Sequence, residues 1–164
     1  MTESEKRNHR CCFTGHRPEK PSIPESKVKA ALQKEIRLAI ADGINVFITG
    51  MASGVDIWAA EIVLELRKKE ELPLKLIAAS PHPGFENRWS IEWQKRYAVI
   101  MSKADFIKDV CTHYSSGCYQ IRNEWMVDHS ARVIAVWNGL PSVTKNTIMY
   151  AKRKGVPVIN ILDK

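Results

Sequence analysis

The sequence predicts a mostly parallel β-sheet with helices on both faces, a three-layer α/β/α arrangement. Short apolar runs alternate strictly with segments of helical periodicity. The strongest runs carry few polar residues, as strands buried on both faces do. Glycine or proline punctuates the junctions.

The elements follow in order. Residues 10–14 (RCCFT) read as a first strand. Val28, Ala31, Leu32, Ile36, Ala39 and Ile40 keep helical spacing up to a stop at Gly43. Residues 45–49 (NVFIT) form the second strand, and 57–69 an amphipathic helix with a basic end. A third strand over 74–79 is closed by Pro81 and Pro83. Trp89, Trp93, Tyr97, Ile100 and Met101 mark a helix; 105–110 is a short strand and 120–129 a helix. Residues 132–137 are the most apolar strand, 146–154 a helix ended by Gly155, and 156–162 a last strand.

A length of 164 residues corresponds to one domain. We expect residues 1–9 to be loose and 10–164 to form that domain. With 45% apolar and 26% charged residues, disorder, collagen and coiled coil are excluded. No apolar run approaches the ~20 residues of a membrane helix. The polar N-terminus has no signal-like segment, so a cytoplasmic location with no membrane partner is expected. The net charge of +7 favours anionic partners without choosing among them. Part of it is concentrated over 145–164, which reads as a solvated helix face. Of the four cysteines, Cys11 and Cys12 are neighbours, and the spacing of Cys111 and Cys118 is too wide for a zinc pair. Reduced thiols are expected, with no metal and no cofactor.

In such sheets ligands bind beyond the carboxyl ends of the strands, where strand order reverses. The loops after the strands are therefore the places to look. Gly50-Met51-Ala52-Ser53-Gly54-Val55-Asp56 follows the second strand. Its small residues allow close backbone approach, and the helix start offers N–H groups to an anion. Ser53 and Asp56 also have capping-box spacing, so they serve equally to start the helix. Asp56 suits a ribose hydroxyl better than a phosphate. Glu61 lies about 140° around the helix from Asp56, so the two carboxylates do not share a face.

Thr14-Gly15-His16-Arg17-Pro18 follows the first strand. Gly15 permits a tight turn, Arg17 can bind phosphate, and His16 can donate or accept. Tyr119, Asn123 and Val127 are spaced four apart, which puts Asn123 on an apolar stripe where it needs a partner, backbone or ligand. Arg122 beside it is a candidate for an anion. Trp137 closes the most apolar strand and either stacks on a base or belongs to the core.

Together, the GHRP, GMASGVDxWAAE, YxxRNxWMVD and TxNTIxYA segments resemble the YpsA-like proteins of bacteria. These belong to the Rossmann-like SLOG superfamily, with the DNA-processing protein DprA and the LOG-type phosphoribohydrolases. The resemblance runs from about Cys11 to Ile161. It implies a pocket for a nucleotide or nucleotide-derived ligand, made by Gly15, His16, Arg17, Gly50, Ser53, Gly54, Asp56, Glu61, Arg122 and Asn123. Relatives commonly carry Gly-Gly-Thr before the last helix, where Ser142-Val143-Thr144 stands here. A β-branched Val resists positive φ, so phosphate approach at that loop is expected to be hindered. The anion site is then expected at the helix start near Ser53, supported by Arg17.

The expected function is binding of a nucleotide-derived small molecule, as in a sensor. One alternative is hydrolysis of a nucleotide's N-glycosidic bond, assisted by Glu61 or Asp56; the PGGxGTxxE motif of the phosphoribohydrolases is absent. Another is single-stranded nucleic-acid binding, as in DprA, though no dense basic stripe is present. Self-association into a homo-oligomer is left open.

Overall fold

A computed structural model describes residues 1–17 and 23–162. Pro18 of the first motif, and Asp163 and Lys164 of the basic C-terminal stretch, lie outside the described residues. Six strands form one sheet: β1 (Arg10–Gly15), β2 (Val46–Thr49), β3 (Lys75–Ser80), β4 (Phe106–Asp109), β5 (Arg132–Val136) and β6 (Val158–Asn160). All pairings are parallel, in the order β4-β3-β2-β1-β5-β6. The chain builds outward from β1 to β4, then returns to lay β5 against the other side of β1. Strand order therefore reverses between β1 and β5, whose carboxyl ends align through Gly15 and Val136.

The helices α2 (Glu25–Ala41), α3 (Val55–Lys69) and α4 (Ile91–Lys103) pack on one face, and α5 (Cys118–Asp128) and α6 (Val143–Arg153) on the other. The fold is the three-layer α/β/α arrangement that the alternation predicts. Neighbouring strand residues point to opposite faces. Cys11 thus enters the larger core with Phe13 and Phe47, and Cys12 the smaller one with Met126 and Val133. Burial pushes both thiols up, Cys12 to about 12. Phe13 and Phe47 stack at 6.0 Å; a fully buried side chain of this size contributes about 1.5–3 kcal/mol.

Local chemistry sets the boundaries. α2 ends where Gly43 takes φ 98° and the Ile44 N–H turns back to Ala39 O. Ser90 caps α4 by accepting from the Trp93 N–H. α6 starts three residues earlier than its periodicity predicts, because Ser142 caps it by accepting from the Lys145 N–H. Residues 1–9, expected to be loose, contain a short helix, α1 (Glu3–Arg7), whose Arg7 Nε donates to Ser130 O at 3.0 Å. No helix among the described residues is long and apolar enough to cross a membrane.

Candidate functional site

A cavity of about 320 Å³ opens at the reversal between β1 and β5. Its walls come from the turn after β1 (Gly15, His16, Arg17), the loop after β2 and the start of α3 (Ala52, Asp56), α5 (Tyr119, Arg122, Asn123), the loop after β5 (Asn138, Leu140, Pro141) and the start of α6 (Ser142, Val143, Thr144).

The loop after β2 is held open by its backbone. Buried Met51 sits at φ 64°, uncommon for a residue with a side chain, and its N–H is taken by Thr49 Oγ1 at 3.3 Å. Gly54 follows at φ 96° as the N-cap of α3, with no side-chain cap. The capping box of Ser53 and Asp56 is not formed. Asp56 instead turns back to accept the Ala52 N–H at 3.3 Å through Oδ2. Its Oδ1 is buried with no hydrogen-bond partner among the described residues. Burial raises the Asp56 carboxyl to about 6, against the opposing pull of Arg122, the Ala52 N–H and Arg17.

Arg122 is buried beside this carboxylate. Nη1 donates to Gly50 O and, at 3.4 Å, to Ala79 O; Nε donates to Asn123 Oδ1 at 2.7 Å. Much of its hydrogen-bonding capacity therefore braces the β2–α3 loop against α5. Burial lowers its basicity, and Asp56 partly restores it. This bond gives Asn123 Oδ1 its partner on the apolar stripe, and Asn123 also lines the cavity.

Buried His16 accepts the Asn138 N–H through Nε2 at 3.1 Å. A backbone N–H only donates, so this ring is neutral with its proton on Nδ1. The bond ties the turn after β1 to the loop after β5. Gly139, at φ 88°, turns that loop. Trp137 braces it by donating from Nε1 to Leu140 O at 2.7 Å and does not line the cavity. Exposed Arg17 stands close enough to act electrostatically on both Asp56 and Arg122.

The two helix starts at this end of the sheet differ. At α3 the Val55 N–H is taken by His16 O at 3.4 Å and the Ile57 N–H by Ala52 O at 3.3 Å. Asp56 adds negative charge there, which opposes an anion at the expected site near Ser53. At α6, Ser142 lies at φ −173° and ψ 174°, extended backbone open to any residue. Its side chain takes the Lys145 N–H and its carbonyl the Asn146 N–H. The N–H groups of Val143 and Thr144 have no acceptor among the described residues, and both residues line the cavity. Val143 is the first helical residue and needs no positive φ.

Of the ten candidates from sequence, Gly15, His16, Arg17, Asp56, Arg122 and Asn123 line the cavity. Gly50, Ser53 and Gly54 stand behind its wall and shape the loop. Glu61 is outside it: Arg96 grips its carboxylate at 2.6 and 2.9 Å, and Lys29 at 3.3 Å. It joins α3 to α4 and α2. Asn138 and the open start of α6 are not among these ten, although the sequence singles out their loop, from Trp137 to Asn146, as a place to look. Ser142, three residues after Gly139 and three before Lys145, was their signal as a helix cap.

The YpsA family model, described as the YspA SLOG family, matches residues 11–156. The UPF0398 protein of Oceanobacillus iheyensis is 30% identical over 141 residues, which cover 80% of this chain and 76% of that one. The UPF0398 protein of Ligilactobacillus salivarius is 30% identical over 133 residues, covering 76% and 72%. Among solved structures, DNA processing protein A of Helicobacter pylori, described for its single-stranded DNA binding mode, aligns with TM-score 0.64 and 19% identity. That alignment covers 95% of this chain and 66% of that one. The molybdenum cofactor binding protein of Rippkaea orientalis aligns with TM-score 0.57 and 20% identity over 94% and 76%. At these identities the two structures share the fold.

Proposed function

The chain belongs to the YspA SLOG family, and from that premise we propose that its cavity binds a nucleotide or nucleotide derivative. One observation carries this reading. One cavity is lined by Val143 and Thr144, whose N–H groups have no acceptor among the described residues, and by Asp56, whose Oδ1 has no partner among them. The first suits an anion and the second a hydroxyl donor. A nucleotide presents both, as phosphate and ribose. Val143 and Thr144 N–H with Arg17 would take the phosphate. Asp56 Oδ1 and Asn123 Nδ2 would take sugar hydroxyls. The volume falls in the range of small-molecule sites.

The role that suits this site is binding, as in a cytoplasmic sensor. Among the described residues Asp56 is the only carboxylate lining the cavity, and Glu61 is committed to Arg96 and Lys29. Single-stranded nucleic acid is a second reading, favoured by the +7 charge and by the binding described for the Helicobacter pylori structure.

A thermal-shift panel of nucleotides, nucleosides and sugar phosphates tests the proposal. A ligand at 100 times its Kd adds about 2.7 kcal/mol of stability. Nucleotides should raise Tm, and more than their nucleosides do. No shift from any nucleotide at millimolar concentration would overturn the reading.

A further inference from the structure

An aromatic cluster adjoins the cavity and is used by nothing described above. It gathers rings from three separate segments. His82 and Phe85 follow β3, Tyr114 follows β4, and Tyr119 opens α5. Tyr119 lies parallel to His82, with centroids 6.1 Å apart and planes 11° apart. Tyr114 meets both edge-on, at 5.6 and 6.1 Å. Phe85 underlies them, 5.4 Å from Tyr119, and carries the buried Arg122 guanidinium over its own ring at 5.6 Å.

Two features separate this cluster from ordinary core packing. It is anchored below: Phe85 is buried, and His82 is fixed because its Nδ1 donates to Pro83 O at 2.8 Å. It is open above: Tyr114 is 62% exposed, and neither tyrosine hydroxyl has a partner among the described residues. Tyr119 belongs both to the cluster and to the cavity wall. A rigid, partly exposed aromatic surface beside a phosphate-and-ribose cavity suits a planar heterocycle, because every base presents a π-face.

We propose that Tyr119 is the stacking platform for the base of a nucleotide whose phosphate lies at the start of α6, with Tyr114 as an edge-on wall beside it. This rests on the nucleotide reading above and adds the base to it. The base could come from a free nucleotide or from a single strand, and the platform chemistry is the same for both.

The test is calorimetric titration of the full chain with adenosine 5′-monophosphate, ribose 5-phosphate and a short oligodeoxythymidylate. The wild type should bind the nucleotide on the order of tenfold more tightly than ribose 5-phosphate, the effect of one stacked base. Tyr119→Leu, which keeps apolar volume without a π-face, should bring the two affinities together. Tyr119→Phe should keep them apart, and Tyr114→Ala, at an exposed position, should narrow the gap without affecting folding. Equal wild-type affinities for nucleotide and ribose 5-phosphate would overturn the platform and leave the phosphate cavity standing. Failure of both to bind would overturn the platform together with the nucleotide reading. Oligonucleotide binding that weakens in Tyr119→Leu, without mononucleotide binding, would overturn the free-nucleotide form of the proposal in favour of a strand.

Discussion

Asp56 Oδ2 and the Arg122 guanidinium close over the Cα of Gly50. A Cβ built there would lie 2.7 Å from Asp56 Oδ2 and 3.0 Å from Arg122 Cζ. The loop after β2 thus requires glycine because two buried charges need the space, and its backbone conformation is a separate matter.

Gly50→Ala should destabilise the protein by about 1–3 kcal/mol, the usual cost of overpacking. Gly117→Ala is the control, since its Cβ would meet only Ile121 Cδ1 at 4.0 Å. Urea unfolding of both variants checks this. Equal midpoints would contradict the crowding at Gly50.

Asp56 makes stability fall as pH rises. Its carboxyl is raised from 3.8 to about 6 in the fold, first by burial. Between these values the folded state holds the proton and the unfolded state does not. The contribution is complete below about pH 4 and is lost as pH passes through 6. A shift of this size corresponds to about 3 kcal/mol. Asp56→Asn should remove this dependence and gain on the wild type from pH 4 to pH 7. Parallel stability profiles for the two proteins would show that Asp56 is not desolvated.

Replacing Ser142 and Val143 together by glycine should not tighten nucleotide binding. Ser142 is already extended and Val143 already helical. The change removes a helix cap and adds unfolded-state freedom, costing about 1 kcal/mol of stability. Titration with adenosine 5′-monophosphate before and after decides it. A clear gain in affinity would mean that these side chains obstruct the α6 N-terminus.

Binding to single-stranded DNA should be weak and absent at 200 mM salt. Contact through six or more phosphates would lose about 10³-fold or more in affinity between 50 and 200 mM. Fluorescence anisotropy with a labelled oligonucleotide measures it. Tight, salt-resistant binding would favour the strand over the free nucleotide.

Much of the fold was legible because strand and helix signals alternate. The apolar run at 132–137 matches β5, and Gly43 ends the turn after α2 where expected. Helix starts were less legible. The apolar periodicity of α6 begins inside the helix, after the Ser142 cap, so the cap had to be recognised separately. The GHR and RN segments were found because they sit at strand and helix ends that the topology gathers. From sequence Glu61 reads as either an exposed-face residue or a site carboxylate; its helical angle to Asp56 separates the two, and three helices meet at its ion pairs. The contrast between the two helix starts could not be read from sequence. It depends on His16 O and Ala52 O reaching N–H groups at the start of α3.

The most direct test of the phosphate end of the cavity is calorimetric titration of wild type and Arg17→Ala with adenosine 5′-monophosphate and adenosine. The wild type should prefer the nucleotide. Arg17→Ala should weaken the nucleotide roughly 10- to 100-fold, the worth of a hydrogen bond to a charged group, and leave adenosine nearly unchanged. Equal weakening of both ligands, or a wild type that binds adenosine as tightly as its phosphate, would contradict a phosphate held at the start of α6.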